Sequence, residues 1–196
     1  MKKTMISSAV LATVLFAAPA AAQEKNFSGF TVTALGGFDA VRLKDVDTGY
    51  KINKDGFTYG GAVGYDYTVG SVVVGAEGEL TGTTAVYRAT LSGVESKIKV
   101  GRDLYAGVRI GVPVASNILL YGKAGYTNAR LKASVSGGGV SFSEGTNFDG
   151  YRLGAGAEVK YGQIFGRLEY RYSDYGSKQG LDLGRNQVLA GIGYRF

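Results

Sequence analysis

Histidine and cysteine are both absent from the 196 residues. Without an imidazole there is no histidine base, no His-activated water or serine and no histidine metal ligand; without a thiol there is no cysteine nucleophile, disulfide or thiolate metal site. Proline is limited to Pro19 and Pro113, which excludes collagen-like and proline-rich architectures. After the N-terminal segment no apolar run is long enough for a transmembrane helix. The mean hydropathy of +0.01, taken alone, would describe a soluble protein. What the chain does have is glycine, 32 residues, and tyrosine, 14, interleaved with valine, a composition that favours strands.

The N-terminus reads as an export signal. Lys2 and Lys3 precede the apolar stretch "MISSAVLATVLFAA", and Pro19 with Ala20-Ala21-Ala22 supplies the small residues of an A-x-A cleavage site. Cleavage after Ala22 is expected, with residues 1–22 as signal peptide and 23–196 as one barrel domain. The run is too short, and ends too abruptly in Pro-Ala, for a membrane anchor.

From Gly29 onward the dominant period is two. Eight strands are predicted, at 29–38, 56–67, 72–81, 101–112, 118–129, 149–161, 163–173 and 187–196. The connections alternate between short ("TVGS", "PVASN" and the tight Gly162-Gln163) and long (39–55, 82–100, 130–148 and 174–186). An even strand count with short turns at one end and long loops at the other predicts an all-β fold, an eight-stranded antiparallel up-and-down transmembrane β-barrel with short periplasmic turns and four long extracellular loops.

One parity of each strand is free of charge, although charged residues make up 19% of the chain. On that face aromatics gather at the strand ends: Phe30, Tyr65, Tyr67, Tyr161, Tyr194 and Phe196 at one rim, and Phe38, Phe57, Tyr59, Tyr126, Tyr151, Tyr170 and Tyr172 at the other. Alanine, glycine, valine, leucine and isoleucine lie between. Two aromatic belts around an aliphatic band suit a membrane with two interfaces, whereas a ligand-binding barrel in water has no reason to keep aromatics off its midline.

The opposite parity carries Asp66, Glu77, Glu79, Asp103, Arg109, Lys123, Arg152, Glu158, Lys160, Arg167, Glu169, Arg171 and Arg195. Eight strands enclose a space that side chains fill, so these charges are expected to pair almost completely. Glu77, Glu79, Arg109, Lys123, Arg152, Glu158, Arg167, Glu169 and Arg171 are the predicted interior network, with Glu77, Lys123, Glu158, Arg167 and Glu169 near mid-height. Glu77 and Glu79 as a glycosidase carboxylate pair is a weaker reading than ion-pairing. The glycine-rich "SGGGVSFSEG" has no Lys-Ser/Thr and no following helix, so it is a surface loop and not a phosphate cradle. No catalytic, cofactor or metal site is expected.

The stretches "GKAGYTNAR" (122–130), "EYRYSDYG" (169–176) and the terminal "AGIGYRF" resemble the small alphaproteobacterial outer-membrane barrels of the opacity-type "porin family", whose architecture is shared by OmpX and the OmpA membrane domain. The resemblance implies export, insertion by the barrel-assembly machinery with periplasmic chaperones, and a surface role in envelope integrity or host contact. It also implies that Val188, Ala190, Ile192, Tyr194 and Phe196 form the assembly signal. Unlike OmpA, the chain stops at Phe196 with no peptidoglycan-binding domain, so no cell-wall tether is expected.

The sequence pI of 9.4 would suggest nucleic acid, but the expected compartment argues for the anionic outer leaflet. If alternation continues past the upper belt, Arg42, Lys44, Arg102, Arg130 and Lys132 point outward at the height of lipopolysaccharide phosphates, making them candidate contacts. The functional expectation is a structural and surface-interaction barrel; the alternative is a narrow passive channel for ions or small solutes.

Overall fold

The computed structural model describes residues 27–45, 51–84, 86–91, 94–137, 140–178 and 181–196; the expected signal peptide lies outside them. Strands run β1 (Gly29–Asp45), β2 (Lys51–Val69), β3 (Val72–Thr83), β4 (Val86–Leu91), β5 (Val94–Pro113), β6 (Ile118–Gly137), β7 (Val140–Tyr161), β8 (Ile164–Lys178) and β9 (Leu181–Arg195). Every neighbouring pair is antiparallel. Strand β1 pairs with β9, and β3 pairs with β5, so the sheet closes. Short β4 takes over from β3 alongside the upper part of β5, giving eight staves.

The stagger of the barrel follows from its register. Starting at Thr31, partners run through Gly64, Glu77, Gly107, Gly125, Arg152, Ser173 and Arg185 and return to β1 at Val41, ten residues above the start. Eight strands with that shear tilt by about 40° around a backbone cylinder of about 8 Å radius. Gly107 and Gly125 face one another across β5 and β6, and a Cβ on Gly125 would lie 2.4 Å from the Gly107 Cα. The tight turns after β2 and β7 use Gly70 and Gly162 at φ of 59° and 61°, a region costly for other residues.

No residue of the uncharged parity between the two belts is buried by protein, from Val32 and Val63 to Leu168 and Ile192. Phe30 rests against Phe196 (5.9 Å between ring centres), and Phe38 meets Phe57 edge-on at 6.5 Å. From Phe30 to Phe38 on β1, and from Tyr161 to Tyr151 on β7, tilted strands span about 20 to 26 Å, the height of an outer-membrane apolar band.

The strands outrun their expected ends. Segments assigned to long loops continue the ladder as hairpins, with pairs as far as Lys44–Lys51, Leu91–Val94, Gly137–Val140 and Lys178–Leu181. Charged and polar residues hid these extensions in the sequence, because beyond the bilayer neither face has to be apolar. Above Thr58 strand β2 has no register with β4, and above Tyr151 strand β7 has none with β8. Among the described residues, then, the wall divides above the membrane into two four-stranded half-sheets, β4-β5-β6-β7 and β8-β9-β1-β2. At the foot of one seam, Thr84 and Phe57 exchange hydrogen bonds, backbone N–H to Phe57 O at 2.9 Å and Phe57 N–H to Thr84 Oγ1 at 2.9 Å.

Candidate functional site

The lumen is built from the charged parity, and its ion pairs fall into three tiers. At the periplasmic end Arg195 reaches Asp66 (2.8 Å) and Glu158 (2.6 Å), and Arg109 reaches Glu158 (3.1 Å) and Asp66 (3.3 Å). In the middle the Lys123 ammonium lies 2.9 Å from Glu77, 2.5 Å from Glu79 and 2.8 Å from Glu169. There Arg171 bridges Glu79 (2.7 Å) and Glu169 (2.8 Å), Arg167 pairs with Glu77, and the Tyr121 hydroxyl donates to Glu169 at 2.8 Å. In the upper tier Arg152 and Arg185 both reach Asp103 at 2.6 Å, Arg185 also pairs with Asp39, and the Tyr175 hydroxyl donates to Asp103 at 2.8 Å. Arg152 to Glu79 at 3.1 Å links the upper and middle tiers.

Counted over these ion-pair partners each tier is neutral, two carboxylates with two cations below, three with three in the middle and two with two above; Lys160 lies outside the count, at the lower end over the Phe27 ring. Charges taken from water into a low-dielectric lumen are tolerable only when paired and hydrogen-bonded, and the tiers meet that condition. Glu77, Glu79 and Glu169 converge to within 4.8 Å, a spacing that suits a metal ion, but Lys123 Nζ lies at their centre.

Apolar side chains lie at both ends of this stack. Val41, Ala129, Leu131, Phe148, Tyr175 and Leu183 cluster at the upper end, drawing on both half-sheets. At the lower end Phe27 is fully buried with Val73 and Leu119, its ring 4.6 Å from the Lys160 ammonium and its carbonyl accepting from Arg195. The Phe27 N–H donates to Thr68 Oγ1 at 3.2 Å.

All nine residues of the predicted network lie buried in the lumen. Glu158, expected near mid-height, belongs to the lowest tier, because the ten-residue stagger, unreadable from sequence, sets which strand heights coincide. Asp39, Arg185 and, apart from Ala129, the upper apolar cluster with Tyr175 were hidden in segments read as loops; continuing the inward parity of β1, β6, β7, β8 and β9 past their expected ends would have exposed them. Of the candidate outward cations, Arg42, Arg102 and Arg130 are exposed on the outer face, whereas the side chains of Lys44 and Lys132 lie outside the described residues. Val188, Ala190, Ile192, Tyr194 and Phe196 all face outward on the closing strand, and the Phe196 N–H donates to Phe30 O at 2.9 Å.

A closed antiparallel barrel, apolar outside, charged within and belted by aromatics, defines an outer-membrane β-barrel protein. The chain belongs to the outer membrane protein beta-barrel domain family, whose model matches residues 8–196. It is 37% identical over 153 residues to the 22 kDa outer membrane protein of Rhizobium leguminosarum bv. viciae, covering 71% of this chain and 67% of that protein. It is 29% identical to the 25 kDa outer-membrane immunogenic protein of Brucella ovis, covering 86% and 77%. In fold it is similar to Neisserial surface protein A (TM-score 0.56, 18% identity, 86% and 98% covered). It is also similar to the attachment invasion locus protein Ail of Yersinia pestis, solved in complex with the heparin analogue sucrose octasulfate (TM-score 0.51, 19% identity, 85% and 99% covered). The protein is located in the cell outer membrane.

Proposed function

We propose that this protein is a sealed structural barrel that meets the host or environment through its raised hairpins, contributes to envelope integrity, and engages lipopolysaccharide through outward cations at the upper rim. The observation that carries the reading is the divided wall: among the described residues the two half-sheets share no strand register above the membrane, over a lumen filled by ion-pair tiers. Between Tyr126 and Gly137 strand β6 climbs about 28 Å above the belt, well clear of the headgroups. A strand edge presents unmet backbone donors and acceptors to an extended segment of a partner protein. The charge tiers and apolar ends weigh against the channel alternative.

The test shortens the β6–β7 hairpin by joining Arg130 to Asn147 through a two-residue turn, and measures adhesion of cells carrying the barrel to host cells or abiotic surfaces. Loss of adhesion with normal membrane insertion is expected; unchanged adhesion after shortening each of the four hairpins would overturn the contact role. Replacing Arg42, Lys44, Arg102, Arg130 and Lys132 by glutamine is expected to reduce lipopolysaccharide co-purification and raise detergent sensitivity. Assembly is proposed to depend on the outward face of β9 ending at Phe196, read by the barrel-assembly machinery after delivery by periplasmic chaperones.

A further inference from the structure

Strand β5 carries a bulge at the upper rim. Its register with β6 passes from Val100–Leu131 to Asp103–Ala129, so Gly101 and Arg102 together oppose Arg130. Only glycine fits the first position, because a Cβ there would lie 2.9 Å from the Arg130 carbonyl oxygen. A bulge re-aims the side chain beside it. Here that side chain is Arg102, exposed on the outer face where the third stave breaks; Gly82–Arg102 is the last pair between β3 and β5.

Directly beside Arg102 lies an external groove of about 480 Å³. Its outward floor is Gly61 and Gly82, its walls are Tyr59 and Leu80, and Arg102 stands at its head. The floor is low because two outward positions lack side chains: a Cβ on Gly82 would come within 3.4 Å of the Tyr59 ring and hydroxyl, and so would fill the trough. Leu80 belongs to the apolar band and Tyr59 to the upper belt, so the groove runs from hydrocarbon to headgroup depth. Among the described residues no carboxylate pairs with Arg102. The polar groups at the head are therefore a guanidinium and a phenol, donors suited to a phosphate, above a trough suited to hydrocarbon.

We propose that this groove seats one acyl chain of the lipid A of lipopolysaccharide, with a lipid A phosphate held by Arg102 and the Tyr59 hydroxyl. The assignment rests on the rim–lipopolysaccharide contact proposed above and goes beyond it, from diffuse attraction to a shaped site. Charge complementarity selects the occupant: in the outer leaflet the groove's hydrocarbon depth and cationic head match an acylated phosphate.

The test counts lipid A bound to the full barrel by native mass spectrometry, after extraction from cells and after titration with lipid A, dephosphorylated lipid A and phosphatidylglycerol. Heat-modifiable gel mobility establishes that each variant is folded. The parent is expected to retain one lipid A, and Arg102→Gln and Gly82→Leu each to weaken it roughly tenfold, the size of one charge-assisted hydrogen bond or a lost chain contact. Dephosphorylated lipid A is the internal comparison: the parent is expected to bind it as weakly as Arg102→Gln binds lipid A. Loss in Arg102→Gln with full binding in Gly82→Leu would overturn the seated chain while leaving a diffuse rim contact standing. Equal competition by phosphatidylglycerol, or a dimer that Gly82→Leu abolishes, would also overturn it. Unchanged binding after all five rim cations are replaced would overturn both the site and the contact it rests on.

Discussion

Replacing Lys123 by methionine keeps most of the side chain's length and removes the charge on which three buried carboxylates converge. Breaking a buried pair by removing one partner costs about 3 to 5 kcal/mol. The lower end applies, because each carboxylate keeps another donor: Glu79 retains Arg152 at 3.1 Å and Arg171 at 2.7 Å, Glu169 retains Arg171 and Tyr121 at 2.8 Å each, and Glu77 retains Arg167. A loss of about 3 kcal/mol lowers the folded-to-unfolded ratio about a hundredfold. Urea titration of the detergent-refolded barrel, read as the fraction with heat-modifiable mobility, measures it. Lys123→Met with Glu169→Gln makes the middle tier neutral again and is expected to recover more than half of the loss, because the excess buried charge is gone. A single variant within about 0.5 kcal/mol of the parent, the range of ordinary surface changes, would refute the reasoning, as would a double variant that loses the sum of its singles.

On the outer face, Leu168→Arg places a charge in the apolar band and is expected to destabilise the barrel in lipid vesicles by about 2 to 4 kcal/mol, measured by the same titration. Gly125→Ala brings a Cβ to 2.3 Å from the Ala106 oxygen and 2.4 Å from the Gly107 Cα, so β5 and β6 must separate; refolding yield is expected to fall sharply, and an unchanged yield would count against the close approach. Deleting Phe196 is expected to reduce insertion in cells more than refolding in detergent; equal losses would leave it a purely structural closing residue.

Much of the barrel was legible because the bilayer enforces a strict rule. Within the apolar band each outward side chain must be apolar and each inward one must fit a narrow polar lumen, so period two showed β1 from Gly29 to Phe38 and β9 through Tyr194 directly. Past the belts that rule lapses. Asp39, Val41, Leu183 and Arg185 continue the inward parity, but with polar neighbours on the other face they read as loop. The divided rim was equally hidden, since pairing of β7 with β6 but not β8 above Tyr151 depends on hairpin partners and not on local composition. Members of the lumen network could be named from parity alone, whereas their partners could not. Lys123 meets Glu169, 46 residues away, only because of the stagger, and Glu158 sits low for the same reason.

On the proposed reading, ion-pair tiers and apolar ends close the lumen and the outer surface is the part that acts. Single-channel recording of the purified barrel in planar bilayers tests it most directly. A silent bilayer is expected for the parent, and stepwise conductance only when the stack is breached, as in Phe27→Ala combined with Arg109→Ala and Lys123→Ala. Steady ohmic steps from the parent protein would contradict it and favour the channel.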